Sequence, residues 1–249
     1  MPGGEPIQAA VRERSGLWLL FDAALQDVLE PGIFEPEELR RRNWVQAVSR
    51  AGRGQAIFFQ PPGEGVEEWV LRHYLRGGAL GRLLGDRYFW TGLERSRPWR
   101  EWHYTACLYQ EGLPVPRPVA ARVQRHGLSY CGDLITVRIP GAVSLDDLLG
   151  RDGVSESVWR AIGACIRRFH DAGHWHADLN SRNILVDSRD DVWIIDWDRG
   201  RKRPQQFLNW RQSNLDRLKR DLEKRLRLRR HWAYSEASFQ ALVLGYETG

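Results

Sequence analysis

Cysteine is scarce in this chain of 249 residues: there are three, Cys107, Cys131 and Cys165. An odd number without metal-ligand spacing argues against a disulfide framework or a zinc site. The three are expected as reduced, buried small residues of a cytoplasmic protein. Long apolar runs are also lacking, so no transmembrane helix is expected. Met1-Pro2-Gly3-Gly4-Glu5 has neither a basic n-region nor an apolar h-region, and no signal peptide is expected. No internal repeat or low-complexity segment is present. His170, His174 and His176 lie close in sequence but have no further ligand nearby, which argues against zinc.

What is present describes a soluble, globular chain of one large or two small domains, 42% apolar and 28% charged. Twelve tryptophans are unusually many; Trp serves cores, membrane interfaces and sugar-facing surfaces. The net charge of +5 is unevenly spread. Residues 199–230 hold 13 Lys/Arg against 3 Asp/Glu, so the rest of the chain is net acidic. That basic segment points to an anionic partner: nucleic acid, anionic lipid or a phosphorylated substrate.

The chemistry concentrates in His176-Ala177-Asp178-Leu179-Asn180-Ser181-Arg182-Asn183. The apolar run Ile184-Leu185-Val186 follows, then a polar turn, then Val192-Trp193-Ile194-Ile195-Asp196-Trp197-Asp198. Two apolar runs about a polar turn read as a hairpin. Such a hairpin brings Asp178, Asn183 and Asp196 to the same end of two strands. A carboxylate there can accept a proton from an attacking hydroxyl. An amide oxygen and a second carboxylate can hold Mg²⁺ on the phosphates of a nucleotide.

Upstream, residues 1–43 read as an N-terminal extension, with a short helix opened by Pro36-Glu37-Glu38. Trp44 to Val48, Gly52-Arg53-Gly54 and Ala56 to Phe59 read as strand, glycine turn, strand. Gly52 and Gly54 free backbone N–H groups to approach phosphate. Trp69 to Tyr74 is the next strand and contains Arg72. A helix runs from Arg97 to about Tyr109 and carries Glu101 in its second turn. Val119 to Val123 and Leu134 to Ile139 are two more strands. Pro140-Gly141-Ala142 reads as a hinge, and Ser144 starts a short capped helix. Ser155 to Ala172 is helical, with Val158, Ile162, Cys165, Ile166 and Phe169 on one face. In the tail, Leu215, Leu218, Leu222 and Leu226 share a helical face, with Ser213 and Asp216 as a capping box. His176 is expected to brace its loop by hydrogen bonding.

His176, Asp178 and Asn183 at this spacing, followed by a hairpin and Asp196, resemble the catalytic and metal loops of the protein-kinase-like fold. Two departures stand out. Ala177 occupies the usual Arg position, which argues against activation by loop phosphorylation, and Asp196-Trp197-Asp198 replaces Asp-Phe-Gly. The order of elements fits an α+β, bilobal protein-kinase-like fold. Residues 44–140 would form an N-lobe with an antiparallel sheet, and 141–249 a mainly helical C-lobe. Arg72-His73-Tyr74 with the basic loop Arg76-Gly77-Gly78, Leu113-Pro114-Val115-Pro116-Arg117-Pro118, Asp133-Leu134-Ile135 and His176 to Asn180 together resemble the lipopolysaccharide kinase family.

That resemblance implies transfer of the ATP γ-phosphate to a sugar of the lipopolysaccharide inner core. The implied acceptor is the 4-hydroxyl of 3-deoxy-D-manno-octulosonic acid (Kdo) on lipid A. The implied place is the cytoplasmic face of the bacterial inner membrane. By position, Asp178 is the base, Asn183 and Asp196 hold Mg²⁺, Arg72 binds phosphate, Glu101 orients Arg72, and Gly52 and Gly54 cover the phosphates. The basic C-terminal segment would meet the anionic membrane surface, making the protein peripheral, rather than nucleic acid. Three readings stay open beside this one. They are a core heptose kinase, a phosphotransferase of the aminoglycoside or choline kinase type, and a non-catalytic pseudokinase or binding module.

Overall fold

The computed structural model describes residues 6–29, 32–49, 55–63, 67–75, 85–204, 206 and 209–249. Gly52 and Gly54, and the Arg76-Gly77-Gly78 loop, lie outside the described residues. The chain divides into two compact units, residues 1–111 with 116–138, and residues 112–115 with 139–249.

The first unit is built on an antiparallel sheet. Its elements in chain order are β1 (Ala9–Arg14), β2 (Leu17–Asp22), α1 (Pro36–Arg41), β3 (Val45–Ser49), β4 (Ala56–Phe59), β5 (Trp69–His73), β6 (Tyr88–Phe89), α2 (Arg97–Gln110), β7 (Pro118–His126) and β8 (Ser129–Val137). The strand order is β1-β2-β7-β8-β5-β4-β3, with β6 also paired to β8. Alternation along the strands fills both faces. Phe21, Ala120 and Ile135 face one way, into a cluster with Ile57, Phe59, Trp69, Leu71 and α1's Leu39. Leu20, Ala121 and Leu134 face the other way, against Trp99, Trp102 and Ala106 of α2. The stretch expected as an N-terminal extension thus contributes two strands to this sheet, with β2 paired to β7.

The second unit contains β9 (Val143–Ser144), α3 (Leu145–Leu149), α4 (Glu156–Asp171), β10 (His174–Trp175), β11 (Ile184–Val186), β12 (Val192–Ile194), β13 (Arg201–Lys202), α5 (Asn209–Leu228) and α6 (Glu236–Thr248). Ser144 and Ser155 cap α3 and α4, each accepting a backbone N–H through its hydroxyl. The helices α4 and α6 pack at backbone distance through glycine. A Cβ on Gly163 would lie 1.9 Å from the carbonyl oxygen of Leu242, and one on Gly245 would lie 2.0 Å from that of Arg160.

Two expectations need correction. α5 starts at Asn209, so Ser213 and Asp216 lie within the helix and do not cap it. Asp216 instead accepts from Gln212, one turn earlier, at 2.8 Å. None of the three cysteines is in a disulfide, but only Cys165 is buried; Cys107 and Cys131 are half-buried. Cys107 lies on α2, its thiol donating to Glu111 at 3.3 Å, and Cys131 on β8, 3.6 Å from His126 Nε2.

Candidate active site

The hairpin forms at the expected residues. β11 and β12 pair antiparallel with Ile184 opposite Ile194. One step beyond the strands, the Ile195 N–H donates to the Asn183 carbonyl at 3.0 Å. This fixes Asn183 and Asp196 at the same end of the hairpin. At the other end Asp187 ties the turn, accepting from the backbone N–H of Arg189 and Asp191 and from the indole of Trp193. Burial pushes the Asp187 carboxyl up, but these donors outweigh it and hold it low.

Asn183 is buried, and its amide nitrogen donates to the Asp178 carbonyl at 2.9 Å. With the nitrogen committed to the loop, Oδ1 is left as the acceptor end of the amide. Asp196 has φ +70°, a left-handed conformation that costs a non-glycine residue energy and recurs at functional sites. An amide oxygen and a carboxylate form the hard donor set that Mg²⁺ prefers.

His176 joins the two loops. Its Nε2–H donates to the Ile195 carbonyl at 3.0 Å, and its Nδ1 accepts the Asp178 N–H at 3.1 Å. This pairing uses the neutral ring, and burial lowers its pKa in the same sense. Trp197 packs against the His176 ring edge-on at 4.5 Å and stacks on Phe169 at 4.9 Å. The departure Asp196-Trp197-Asp198 therefore supplies a buried aromatic anchor directly after Asp196. Asp198 is itself buried, with the Arg199 guanidinium 3.9 Å away. His170, His174 and His176 are all buried, and no group of three His, Cys, Asp or Glu side chains that could hold a metal occurs among the described residues.

α5 lies along this loop through residues that sequence reasoning did not assign. Asn214 donates to the His176 carbonyl at 2.7 Å and accepts the His176 N–H at 3.4 Å. Its oxygen also meets His170 Nε2 at 3.1 Å, and His170 Nδ1 accepts from the Tyr246 hydroxyl at 2.8 Å. One face along, Arg217 is ion-paired with Asp178. Two turns past Asn214, Asp221 accepts the Ser181 N–H at 3.0 Å and its hydroxyl at 2.8 Å. Burial pushes the Asp221 carboxyl up, but the Ser181 N–H and the Arg225 guanidinium outweigh it and hold it low. Arg225 and Arg229 then reach the buried Asp146, at 2.5 and 2.9 Å. Residues 214, 217, 221 and 225 follow a helical repeat, which was the signal available for this face.

In the first unit Arg72 on β5 is ion-paired with Glu101 on α2, and Tyr74 also donates to Glu101. Glu101 is 1% exposed, so its charge is held away from water among these donors. Next to Arg72, His73 bonds Asp133 at 2.7 Å and Asp86 at 3.1 Å, and Asp133 also accepts from Arg122.

An antiparallel-sheet unit and a largely helical unit are the make-up of the protein-kinase-like fold. The chain belongs to the lipopolysaccharide kinase (Kdo/WaaP) family, whose sequence profile matches residues 39–246. It is 40% identical over 223 residues to the 3-deoxy-D-manno-octulosonic acid kinase of Vibrio parahaemolyticus serotype O3:K6, covering 90% of this chain and 91% of that one. It is 44% identical over 199 residues to the enzyme of the same name from Photobacterium profundum, covering 80% and 82%. Among solved structures, the bifunctional kinase-methyltransferase WbdD aligns with 82% of this chain at TM-score 0.47 and 16% identity. The chain spans 46% of WbdD.

Proposed function

We propose that this protein is an ATP-dependent kinase that phosphorylates the 4-hydroxyl of Kdo on lipid A during lipopolysaccharide inner-core biosynthesis. The observation that carries the reading is the hairpin-ended trio Asp178, Asn183 and Asp196 in a chain that aligns nearly end to end with relatives named as Kdo kinases.

Asp178 takes the proton of the acceptor hydroxyl as its oxygen attacks the γ-phosphorus and the bond to the bridging oxygen of ADP breaks. His176 and Asn183 fix the Asp178 backbone from both sides, so the carboxylate is positioned before substrate arrives. Asn183 Oδ1 and the Asp196 carboxylate would hold Mg²⁺. Held there, the ion would supply positive charge against the phosphates of the nucleotide. Arg72, oriented by Glu101, would hold phosphate oxygens with its planar fork.

The lipid-borne acceptor requires the enzyme to work at a membrane surface, and no helix among the described residues is long and apolar enough to cross a membrane. The exposed cations of the C-terminal segment support attachment to the anionic cytoplasmic face of the inner membrane.

The test is mass spectrometry of Kdo–lipid A after incubation with the protein, ATP and Mg²⁺. The expected product carries one added phosphate on Kdo. An unmodified acceptor, with phosphate found instead on a heptose-bearing core or on a small soluble alcohol, would refute the assignment.

A further inference from the structure

We propose that Arg217 is the residue that recognises the carboxylate of the acceptor sugar. The proposal rests on the reading of the acceptor as a sugar acid. Arg217 projects from α5 between Asn214 and Asp221, both of which are fastened to the catalytic loop. Its guanidinium is thereby stationed at Asp178, with which it pairs through Oδ1. Among the described residues the second oxygen of Asp178 makes no side-chain hydrogen bond, which leaves it for a hydroxyl.

A guanidinium is a poor neighbour for a group whose task is to take up a proton. It is a good neighbour for a substrate that brings its own carboxylate, because the planar fork matches a carboxylate's two oxygens. The pair is open to solvent: 45% of the Arg217 side chain and 54% of the Asp178 side chain are exposed. Ion pairs this exposed are weakly held and easily exchanged. The other cations on this face, Arg225 and Arg229, are tied to the buried Asp146. Arg217 can therefore pass from Asp178 to an incoming carboxylate while the loop stays fixed. A sugar acid bears its carboxylate and its hydroxyls on one small ring, so the exchange sets a hydroxyl beside the released base.

The test compares wild type and Arg217→Gln on Kdo–lipid A and on its carboxyl methyl ester, each with ATP and Mg²⁺. On the acid, Arg217→Gln is expected to raise the acceptor KM on the order of tenfold or more, the size of a lost charge-assisted contact, with the KM for ATP unchanged. On the ester, wild type is expected to show the same raised KM, and the substitution to add nothing. Arg217→Lys should fall between, keeping charge without the fork. Equal losses on acid and ester would make Arg217 a positioning residue for Asp178 and overturn the proposal. A raised KM for ATP would place the guanidinium on the nucleotide and overturn it too. If wild type transferred phosphate to neither acceptor, the reading of the acceptor itself would fall, an outcome separate from these.

Discussion

Asp178 sits in a loop whose geometry is set by its neighbours' backbone and ring contacts. Its N–H is bound to the His176 ring and its carbonyl to Asn183, so only the carboxylate is left to do chemistry. Asp178→Asn changes that carboxylate and leaves every one of those bonds. The expected result is a drop in kcat of ~10²–10⁴-fold, the usual contribution of a general base, with an unchanged thermal midpoint. Steady-state kinetics and a melting curve on the same preparation check it. A variant that kept more than about a tenth of wild-type kcat would remove Asp178 from the base role.

α5 turns a basic, leucine-spaced tail into the brace of the catalytic loop. Leu215, Leu218 and Leu222 are buried, and Asn214 and Asp221 hold the loop. Asn214→Ala would leave the buried His176 carbonyl and the His170 ring short of partners, a loss of about 1–3 kcal/mol. We expect a lower urea midpoint and a lower kcat together. A lower midpoint with wild-type kcat would show that the loop keeps its form without the brace. The leucine periodicity and the hairpin were legible in sequence because each follows one period over several residues. The trio Asp178, Asn183 and Asp196 was legible because its spacing is local. The brace was not, since an arginine tied to a buried aspartate reads the same as one in solvent. The placement of β1 and β2 in the sheet was not legible either: β1 (Ala9–Arg14) is an almost wholly exposed edge strand, with no buried face to impose alternation.

For the whole molecule, acid and salt are the two informative variables. Burial lowers the His170 pKa to about 4, against the 6.5 of an ordinary histidine. A histidine depressed in the folded state contributes stability that is complete above the unfolded value and is lost as pH falls towards the folded one. The loss between pH 6.5 and about 4 is at most roughly 3 kcal/mol from this residue. His176 acts in the same direction. His73, raised by its bond to Asp133 against the effect of burial, acts oppositely: its contribution is present below 6.5 and lost as pH rises through its folded value. Thermal melts should therefore fall on acidification below about pH 6.5, and His170→Gln should flatten that fall while lowering the midpoint at neutral pH. Parallel profiles for wild type and variant would assign the acid sensitivity elsewhere.

Salt tests the basic segment; from Arg217 to Arg230 its cations divide into two sets. Arg217, Arg225 and Arg229 pair with Asp178 or Asp146, and Lys219 pairs with Glu236 at 2.8 Å. Arg220, Lys224, Arg227 and Arg230 are exposed. Within this stretch the second set is the more at liberty to meet a surface; Arg227 has Glu223 as a distant neighbour at 3.7 Å. Each cation near an anionic bilayer contributes about 1 kcal/mol, and the attraction fades within a Debye length. Replacing these four with Gln should sharply weaken binding to vesicles containing anionic lipid. Wild-type binding should itself fall steeply as salt is raised. The replacement should also lower turnover of Kdo–lipid A more than turnover of a soluble Kdo glycoside, because the braced cations and the catalytic loop are untouched. Salt-insensitive binding, or equal losses on the two acceptors, would assign these residues to folding or to the active site and leave the membrane to be met by another part of the chain.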